Sequence, residues 1–150
     1  MIRPREKPNT VLVVEDEPDH AALIEAAFHY RPTSWRVHVT TSSEEATAYL
    51  RGFRSFDDRH RYPLPDIIIL DLGLPGAGGL EFLRWTQGRD EAWSEVPIIV
   101  VTANEEASVA AQAVALGARE VKVKPSDFTE LVDTVSNLLR RWRPTTVAVC

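Results

Sequence analysis

The chain of 150 residues has a single cysteine, Cys150, at its last position. One cysteine cannot form a disulfide within the chain, and it cannot supply the ligands of a cysteine-based zinc site. Chains without a disulfide framework are typical of reducing compartments. We therefore expect a cytoplasmic protein.

The chain also lacks an excess of basic charge, since its 22 acidic residues outnumber its 17 basic ones and give a formal net charge of −5. Nucleic-acid binding proteins carry a concentrated basic face, so this balance predicts no nucleic-acid partner. No apolar run approaches the roughly 18 residues of a membrane span, which predicts no membrane contact. Small proteins, small substrates and metal cations remain as candidate partners.

The length suits one domain with a single sizeable core. Residues 1–9 are charged and interrupted by proline, which predicts a mobile lead-in. The domain is expected over residues 10–143, followed by a tail at 144–150. Seven residues after the last helix are too few for an output domain, so we expect a stand-alone module.

Short apolar runs alternate with helical patterns five times along the chain. Continuous aliphatic runs indicate strands buried on both faces, and the alternation predicts a parallel sheet. The strands are expected near 11–14, 35–40, 67–70, 96–101 and 120–123. The helices are expected from Pro18 to about Tyr30, after Ser42, near 80–88, after Asn104 and after Ser126. The fold class is therefore α/β, a doubly wound five-stranded parallel sheet in the flavodoxin-like order 2-1-3-4-5 with five helices.

Two further features have simple interpretations. A polar stretch over residues 51–65 is longer than most connections, and we interpret it as a solvated loop rather than a docking surface. The four histidines, His20, His29, His38 and His60, lack the mutual spacing of a metal site, and we interpret them as surface or loop residues.

Polar side chains follow four of the five strands. Glu15 and Asp16 follow the first strand, Asp71 the third, Thr102 the fourth and Lys124 the fifth. Taken singly, the acids and the threonine are explained as helix caps or turn residues, and the lysine as a solvated charge. Because ligands bind outside the carboxyl ends of parallel strands, we expect the five side chains to meet at one edge.

Three carboxylates at one edge repel each other unless a cation lies between them. Their hard oxygens favour Mg²⁺, and the lysine and threonine suit an anion with several oxygens, such as a phosphoryl group. Asp71 can then act as a nucleophile that forms an aspartyl phosphate, with its charge neutralised by Mg²⁺ and Lys124.

The segments V-V-E-D-E, I-I-L-D-L-G-L-P-G-A-G-G, V-V-T-A and V-K-P resemble the receiver domain of two-component response regulators, over about residues 10–143. The resemblance implies that Asp71 is phosphorylated by a sensor histidine kinase or a phosphotransfer protein. It also implies that Glu15 and Asp16 form the acidic pair, that Asp16 is a direct Mg²⁺ ligand, and that the carbonyl of Gly73 is another ligand.

The same resemblance implies roles around the phosphoryl group. Thr102 is expected to bond it in the active state, and Lys124, before a cis Pro125, to pair with it. Ala103 matches the small residue that leaves the site open. Asn104 and Gly73 fall where relatives vary the rate of dephosphorylation.

One departure concerns the read-out of the switch. Relatives usually have Tyr or Phe three residues before the lysine, where this chain has Val121, so coupling of Thr102 to an aromatic rotamer is not expected. Relatives commonly pair through the fourth and fifth helices, which makes a homodimer an expectation here.

Three alternative functions stay open at this point. A degenerate receiver would bind partners without phosphorylation, and Val121 is compatible with it. A haloacid dehalogenase-like phosphatase would need a second aspartate two residues after Asp71, where this chain has Gly73. A flavodoxin would need a hydroxyl-rich phosphate loop, and residues 15–19 read E-D-E-P-D instead.

Overall fold

The structure is a computed structural model that describes residues 9–30, 35–76, 78–88 and 90–142. The predicted lead-in, except for Asn9, and the predicted tail with Cys150 lie outside the described residues.

Five parallel strands form one sheet. They are β1 (Thr10–Val14), β2 (Arg36–Thr40), β3 (Ile67–Leu70), β4 (Ile98–Thr102) and β5 (Glu120–Val123). Three of them coincide with apolar runs of the sequence, and β2 and β5 alternate apolar with polar residues. Their order is β2-β1-β3-β4-β5, which confirms the predicted topology. The residues of β1, β3 and β4 are buried throughout, as expected for strands covered on both faces.

Helices cover both faces of this sheet. They are α1 (Pro18–His29), α2 (Ser43–Arg51), α3 (Gly78–Thr86), α4 (Ala107–Ala115) and α5 (Phe128–Arg141), with 3₁₀ turns at Arg54–Phe56 and Ala92–Glu95. Alternate residues of β1 point to opposite faces. Val11 and Val13 pack in a core with α1 and α5, whereas Leu12 and Val14 pack in a core with α2, α3 and α4.

Two helix starts differ from the prediction. The side chain of Asp127, not that of Ser126, caps α5 by accepting a hydrogen bond from the N–H of Glu130 at 2.8 Å. Asn104 does not cap α4; its Oδ1 accepts from the N–H of Glu106 in a turn that precedes the helix. Ser, Asn and Asp are all good caps, so their order in the sequence does not decide which one is used.

α4 is more exposed than its apolar residues suggest. Ala113 is buried, but the neighbouring Val114 is 56 % exposed. The helix lies near the sheet edge formed by β5, where it packs against β5 and α3. This helix therefore presents apolar surface to solvent.

The segment between α2 and β3 keeps many exposed residues, as predicted for a solvated loop, but part of it packs against the domain. Phe56, Tyr62 and Leu64 pack against the core. The guanidinium of Arg59 donates to the carbonyls of Tyr49 at 2.8 Å, Leu50 at 2.6 Å and Tyr62 at 3.0 Å. Arg59 thus ties the segment to the last turn of α2, where helix carbonyls otherwise lack partners.

Replacing Arg59 with methionine should therefore loosen this segment. Three carbonyls lose a charged donor, and hydrogen bonds to charged groups contribute roughly 1.5–3 kcal/mol. We expect Arg59→Met to lower the free energy of unfolding by about 2 kcal/mol in urea. Arg119→Met, at an exposed position, should change it by less than about 0.5 kcal/mol. Equal effects of the two variants would contradict this role.

His38 is not the surface residue that the sequence suggested. Its ring lies 5.6 Å from that of Tyr49 and 5.2 Å from that of Tyr62, and its Nε2 is buried without a hydrogen-bond partner. Burial lowers the pKa of His38 below 6.5, and the charges of Arg36 and Arg61 act in the same direction. The folded protein thus holds His38 neutral.

This burial predicts an acid-sensitive contribution to stability. The unfolded chain binds a proton at His38 below pH 6.5 that the folded chain does not bind, so stability falls as the pH drops through the window below 6.5. One such proton contributes at most about 1.4 kcal/mol per pH unit. We expect His38→Phe to reduce the loss of stability between pH 7.5 and 5 in urea titrations. His60→Phe, at an exposed position, should leave that loss unchanged.

Candidate functional site

The carboxyl ends of β1, β3, β4 and β5 meet at one edge of the sheet, as predicted. The N–H of Asp71 donates to the carbonyl of Val14 at 3.0 Å, which aligns the ends of β3 and β1. The N–H of Lys124 donates to the carbonyl of Thr102 at 2.8 Å, which does the same for β5 and β4. These backbone hydrogen bonds therefore fix the positions of Asp71 and Lys124 at the edge of the sheet.

The Lys124 ammonium lies at the centre of this edge. Its Nζ is 2.5 Å from Glu15 Oε1 and 3.1 Å from Asp71 Oδ2. The three side chains are mostly buried, with 13 % of Lys124, 1 % of Glu15 and 11 % of Asp71 exposed. Poor solvent screening makes these contacts stronger than surface ion pairs.

The two carboxyl groups have pKa values shifted in opposite directions, although burial alone would raise both. Burial raises the pKa of Glu15 to about 8, and the neighbouring Asp71 adds to the shift while Lys124 opposes it. Burial would also raise the pKa of Asp71, but hydrogen bonds with Glu15, with the N–H of Gly73 and with Lys124 outweigh it and hold that pKa below the ordinary range. Asp71 is therefore the carboxyl group that stays anionic.

The same contacts act on the lysine. Burial would lower the pKa of Lys124, but its hydrogen bonds and charge interactions with Glu15 and Asp71 outweigh burial and raise it. The amine is therefore a permanent cation at neutral pH.

The three acids predicted to bind a metal lie together. Glu15, Asp16 and Asp71 each offer a carboxylate oxygen, and these atoms all lie within 4.8 Å of one another. The second oxygen of Glu15, Oε2, is buried without a hydrogen-bond partner. An all-oxygen donor set with one unsatisfied buried oxygen fits a hard divalent cation such as Mg²⁺.

The turn after β3 brings backbone close to Asp71. The N–H of Gly73 donates to Asp71 Oδ1 at 3.1 Å, so one carboxylate oxygen is held by the backbone. A Cβ at Gly79, in the first turn of α3, would lie 2.6 Å from the carbonyl oxygen of Asp71 and from Cα of Leu72. Glycine is therefore required for α3 to approach this turn.

The remaining predicted residues surround a cleft of about 460 Å³ that Asp71 and Lys124 also line. Thr102, Ala103 and Asn104 form one wall, and Gly73 lies on its border. Thr102 is buried, and its Oγ1 accepts a hydrogen bond from the N–H of Asn104 at 3.2 Å. The cleft is large enough for a phosphoryl group beside Asp71.

Two residues near β5 lie outside that wall. Val121 is half-buried and packs against the core that includes α3 and α4. Pro125 follows a trans peptide bond, since the described residues contain no cis bond, and the prediction of a cis bond is wrong. The trans and cis forms of a bond before proline differ by only about 0.5–1 kcal/mol, so the sequence does not determine the isomer.

His20 belongs to the site, which corrects its interpretation as a surface residue. Its Nδ1 lies 2.9 Å from Lys124 Nζ and 3.0 Å from Glu15 Oε1, and the ring borders the cleft. The signal available in the sequence was its position in the first turn of α1, five residues after Glu15. Two acids next to His20 in the sequence, Glu17 and Asp19, are not part of the carboxylate cluster found among the described residues.

Comparison with known proteins gives one consistent result. The model of a family described as the response regulator receiver domain matches residues 11–136. The chain is 34 % identical over 134 residues to the phosphate regulon transcriptional regulatory protein PhoB of Rhizobium meliloti, which covers 89 % of this chain and 53 % of that protein. It is 36 % identical over 136 residues to the KDP operon transcriptional regulatory protein KdpE of Escherichia coli, covering 91 % and 53 %. The chain thus spans about half the length of these curated relatives.

A solved structure supports the fold. The response regulator RPA3017 in red light signaling of R. palustris superposes with a TM-score of 0.84 at 26 % identity, covering 91 % of this chain and 95 % of that chain. Within the part of this chain that is described, no helix combines the length and the apolar character needed to cross a bilayer.

Proposed function

This chain belongs to the response regulator receiver domain family, and we propose that it is a phosphoacceptor switch in which Asp71 takes a phosphoryl group from a sensor histidine kinase or a phosphotransfer protein. One observation carries the proposal. The anionic carboxylate of Asp71 borders an open cleft, 3.1 Å from a lysine ammonium and beside two further carboxyl groups.

The reaction assigns a step to Asp71. A carboxylate oxygen attacks phosphorus, forms a P–O bond, and breaks the P–N bond to the donor histidine, whose ring leaves with the electron pair and takes up a proton. The lowered pKa of Asp71 keeps its oxygen free of a proton for this attack. Lys124 faces the phosphoryl oxygens and balances the charge that they carry in the transition state.

Glu15, Asp16 and Asp71, with the carbonyl of Gly73, are proposed to hold Mg²⁺, with Asp16 as a direct ligand. When bound, the ion supplies positive charge to the oxygens of the transferring group. The clustered oxygens and the unsatisfied Glu15 Oε2 support this assignment. Gly73 has no side chain with which to position or exclude water.

The residues that line one wall of the cleft are proposed to act as the switch. We assign to Thr102 a hydrogen bond in which its hydroxyl donates to the phosphoryl group, a role compatible with Oγ1 accepting from the N–H of Asn104. Ala103 leaves the cleft open, and Asn104 is positioned to modulate hydrolysis. Val121 cannot act as a rotating aromatic, so the rearrangement is proposed to be read through the segment between β4 and α4 and through Pro125.

We propose that the partners of this chain are proteins, including a second copy of the chain. The proposed switch has no other reaction than its own phosphorylation and dephosphorylation, and it signals through protein contacts in the cytoplasm. Val114 on α4 and Val123 on β5 are about half exposed, which supports a homodimer through this side of the domain. Sedimentation that shows only monomer with and without a phosphoryl mimic would count against this dimer.

One alternative function has a specific observation in its favour. The aliphatic Val121 fits a receiver that binds partners without being phosphorylated. The complete acidic cluster and Lys124 argue against it. Calorimetric titration with Mg²⁺ separates the two, because the degenerate module has no need of a metal site. The phosphatase alternative is not retained, since the family is established and Gly73 replaces the acid it needs.

The proposal is tested by phosphorylation from a small donor. We expect the protein incubated with acetyl phosphate and Mg²⁺ to gain the mass of one phosphoryl group in intact-mass spectra. Chelation of Mg²⁺ should prevent the gain, and hydroxylamine should remove it because it cleaves acyl phosphates. A protein that stays unmodified, while a control receiver is labelled in the same buffer, would overturn the proposal.

A further inference from the structure

The contact between His20 and Lys124 has no part in the function proposed above. His20 lies in the first turn of α1 and is 44 % exposed, whereas Lys124 is 13 % exposed. The imidazole thus borders the cleft beside the ammonium, and its Nδ1 also lies 3.0 Å from Glu15 Oε1. The contact with Lys124 joins two elements that are 104 residues apart in the chain.

The direction of this hydrogen bond follows from the chemistry of the two groups. An ammonium has three N–H donors and no acceptor. The three acceptors of Lys124 are Glu15 Oε1 at 2.5 Å, Asp71 Oδ2 at 3.1 Å and His20 Nδ1 at 2.9 Å. His20 Nδ1 therefore accepts, which assigns the ring proton to Nε2 and leaves no free lone pair on Nδ1.

The three acceptors differ in what happens to them when the site is used. Glu15 and Asp71 are also proposed to hold a cation, and a cation on their oxygens weakens their attraction for an ammonium. Asp71 in addition becomes an acyl phosphate. His20 is outside the cluster of metal-ligating oxygens, so its nitrogen remains available to Lys124 when those oxygens hold a cation, even though Nδ1 also lies 3.0 Å from Glu15 Oε1.

We propose that His20 is a positioning residue that holds the Lys124 ammonium at the cleft wall, facing Asp71, when a divalent cation occupies the carboxylates. The expected consequence, faster phosphorylation of Asp71, rests on the proposed function. The hold on Lys124 itself is a property of the site that is measurable without phosphorylation.

The first test measures the reactivity of Lys124 toward a small acylating ester, with and without Mg²⁺. Mass spectrometry gives the ratio of acylation at Lys124 to that at Lys122, an exposed lysine of β5, which serves as an internal reference. In the wild type we expect Mg²⁺ to change this ratio by less than about twofold. In His20→Ala, Mg²⁺ should raise it about five- to tenfold, as expected for the loss of a hydrogen bond to a charged group.

Two further variants separate positioning from packing. His20→Asn places Oδ1 at the position of Nδ1, one bond from Cγ, and should restore the wild-type ratio. His29→Ala, at the exposed far end of α1, should leave the ratio unchanged. An unchanged ratio in His20→Ala, or an equal rise in His20→Ala and His20→Asn, would overturn the inference.

The second test measures the rate at which acetyl phosphate labels Asp71. We expect His20→Ala to be slowed about fivefold with an Mg²⁺ dissociation constant within about twofold of the wild type, and His20→Asn to be labelled at the normal rate. Equal labelling of His20→Ala and wild type would refute the effect on phosphorylation. If the wild type is not labelled at all, yet the acylation ratios follow the expected pattern, the proposed function fails and the hold on Lys124 stands.

Discussion

The variant Asp71→Asn should not be phosphorylated at all. Asparagine has nearly the same shape as aspartate, but its amide oxygen carries no negative charge with which to attack phosphorus. The amide oxygen can still accept the hydrogen bond from the N–H of Gly73, so the turn after β3 should keep its form. We therefore expect intact-mass spectra without the phosphoryl adduct, and a free energy of unfolding about 2 kcal/mol below that of the wild type, because Lys124 loses one of its two carboxylate partners and keeps Glu15.

The matched control is Asp133→Asn, which makes the same chemical change on the exposed surface of α5. It should be labelled at the wild-type rate. Labelling of Asp71→Asn at the wild-type rate would show that the acceptor is another group. If Asp71→Asn loses both the labelling and the circular dichroism signal of the folded protein, Asp71→Glu serves as a second variant. It keeps the negative charge but moves the carboxylate.

The variant Lys124→Met should have the second largest effect, and the effect should depend on Mg²⁺. Methionine keeps much of the length of the side chain but removes the charge that Glu15 and Asp71 share. Removing one partner of a buried ion pair commonly costs 3–5 kcal/mol, and proton uptake by Glu15 reduces this loss. We expect the free energy of unfolding in the presence of a chelator to fall by about 3 kcal/mol.

A divalent cation should reverse part of this loss, because it can replace the missing charge between the carboxylates. We expect Mg²⁺ to raise the melting temperature of Lys124→Met more than that of the wild type, and to bind it more tightly in calorimetry. Phosphorylation by acetyl phosphate should nevertheless be at least about tenfold slower, because the phosphoryl oxygens lose their ammonium. Lys122→Met, two residues earlier on β5 with an exposed side chain, should match the wild type in all three measurements.

Tighter Mg²⁺ binding would be hard to explain if Lys124 were only a structural residue. Weaker binding in Lys124→Met would contradict the idea that the ammonium and the cation compete for the same oxygens. Rapid labelling would contradict the role of Lys124 in the transition state.

The fold and most of the site followed from the sequence for one physical reason. A run such as Ile67 to Leu70 must be buried on both faces, and parallel strands direct their carboxyl ends to one edge. The residue that follows the strand, Asp71, is then placed by the backbone alone. The same reasoning predicts from the sequence that Asp16, Thr102 and Lys124 lie at that edge.

Features that depend on side-chain direction were not accessible in this way. His20 reaches Lys124 because α1 begins directly above the edge of the sheet, and His38 is buried because the segment after α2 folds over it. Both depend on contacts between distant parts of the chain. The cap of α5 and the isomer of the bond before Pro125 are decided by small energy differences between acceptable alternatives.

The central claim is that Asp71 carries the phosphoryl group. The most direct measurement is reductive trapping with borohydride after incubation with acetyl phosphate and Mg²⁺, followed by peptide sequencing in the mass spectrometer. Borohydride reduces an aspartyl phosphate to homoserine, which marks the phosphorylated position. We predict homoserine at position 71 and aspartate at position 16. Homoserine at another position, with aspartate intact at 71, would contradict the account.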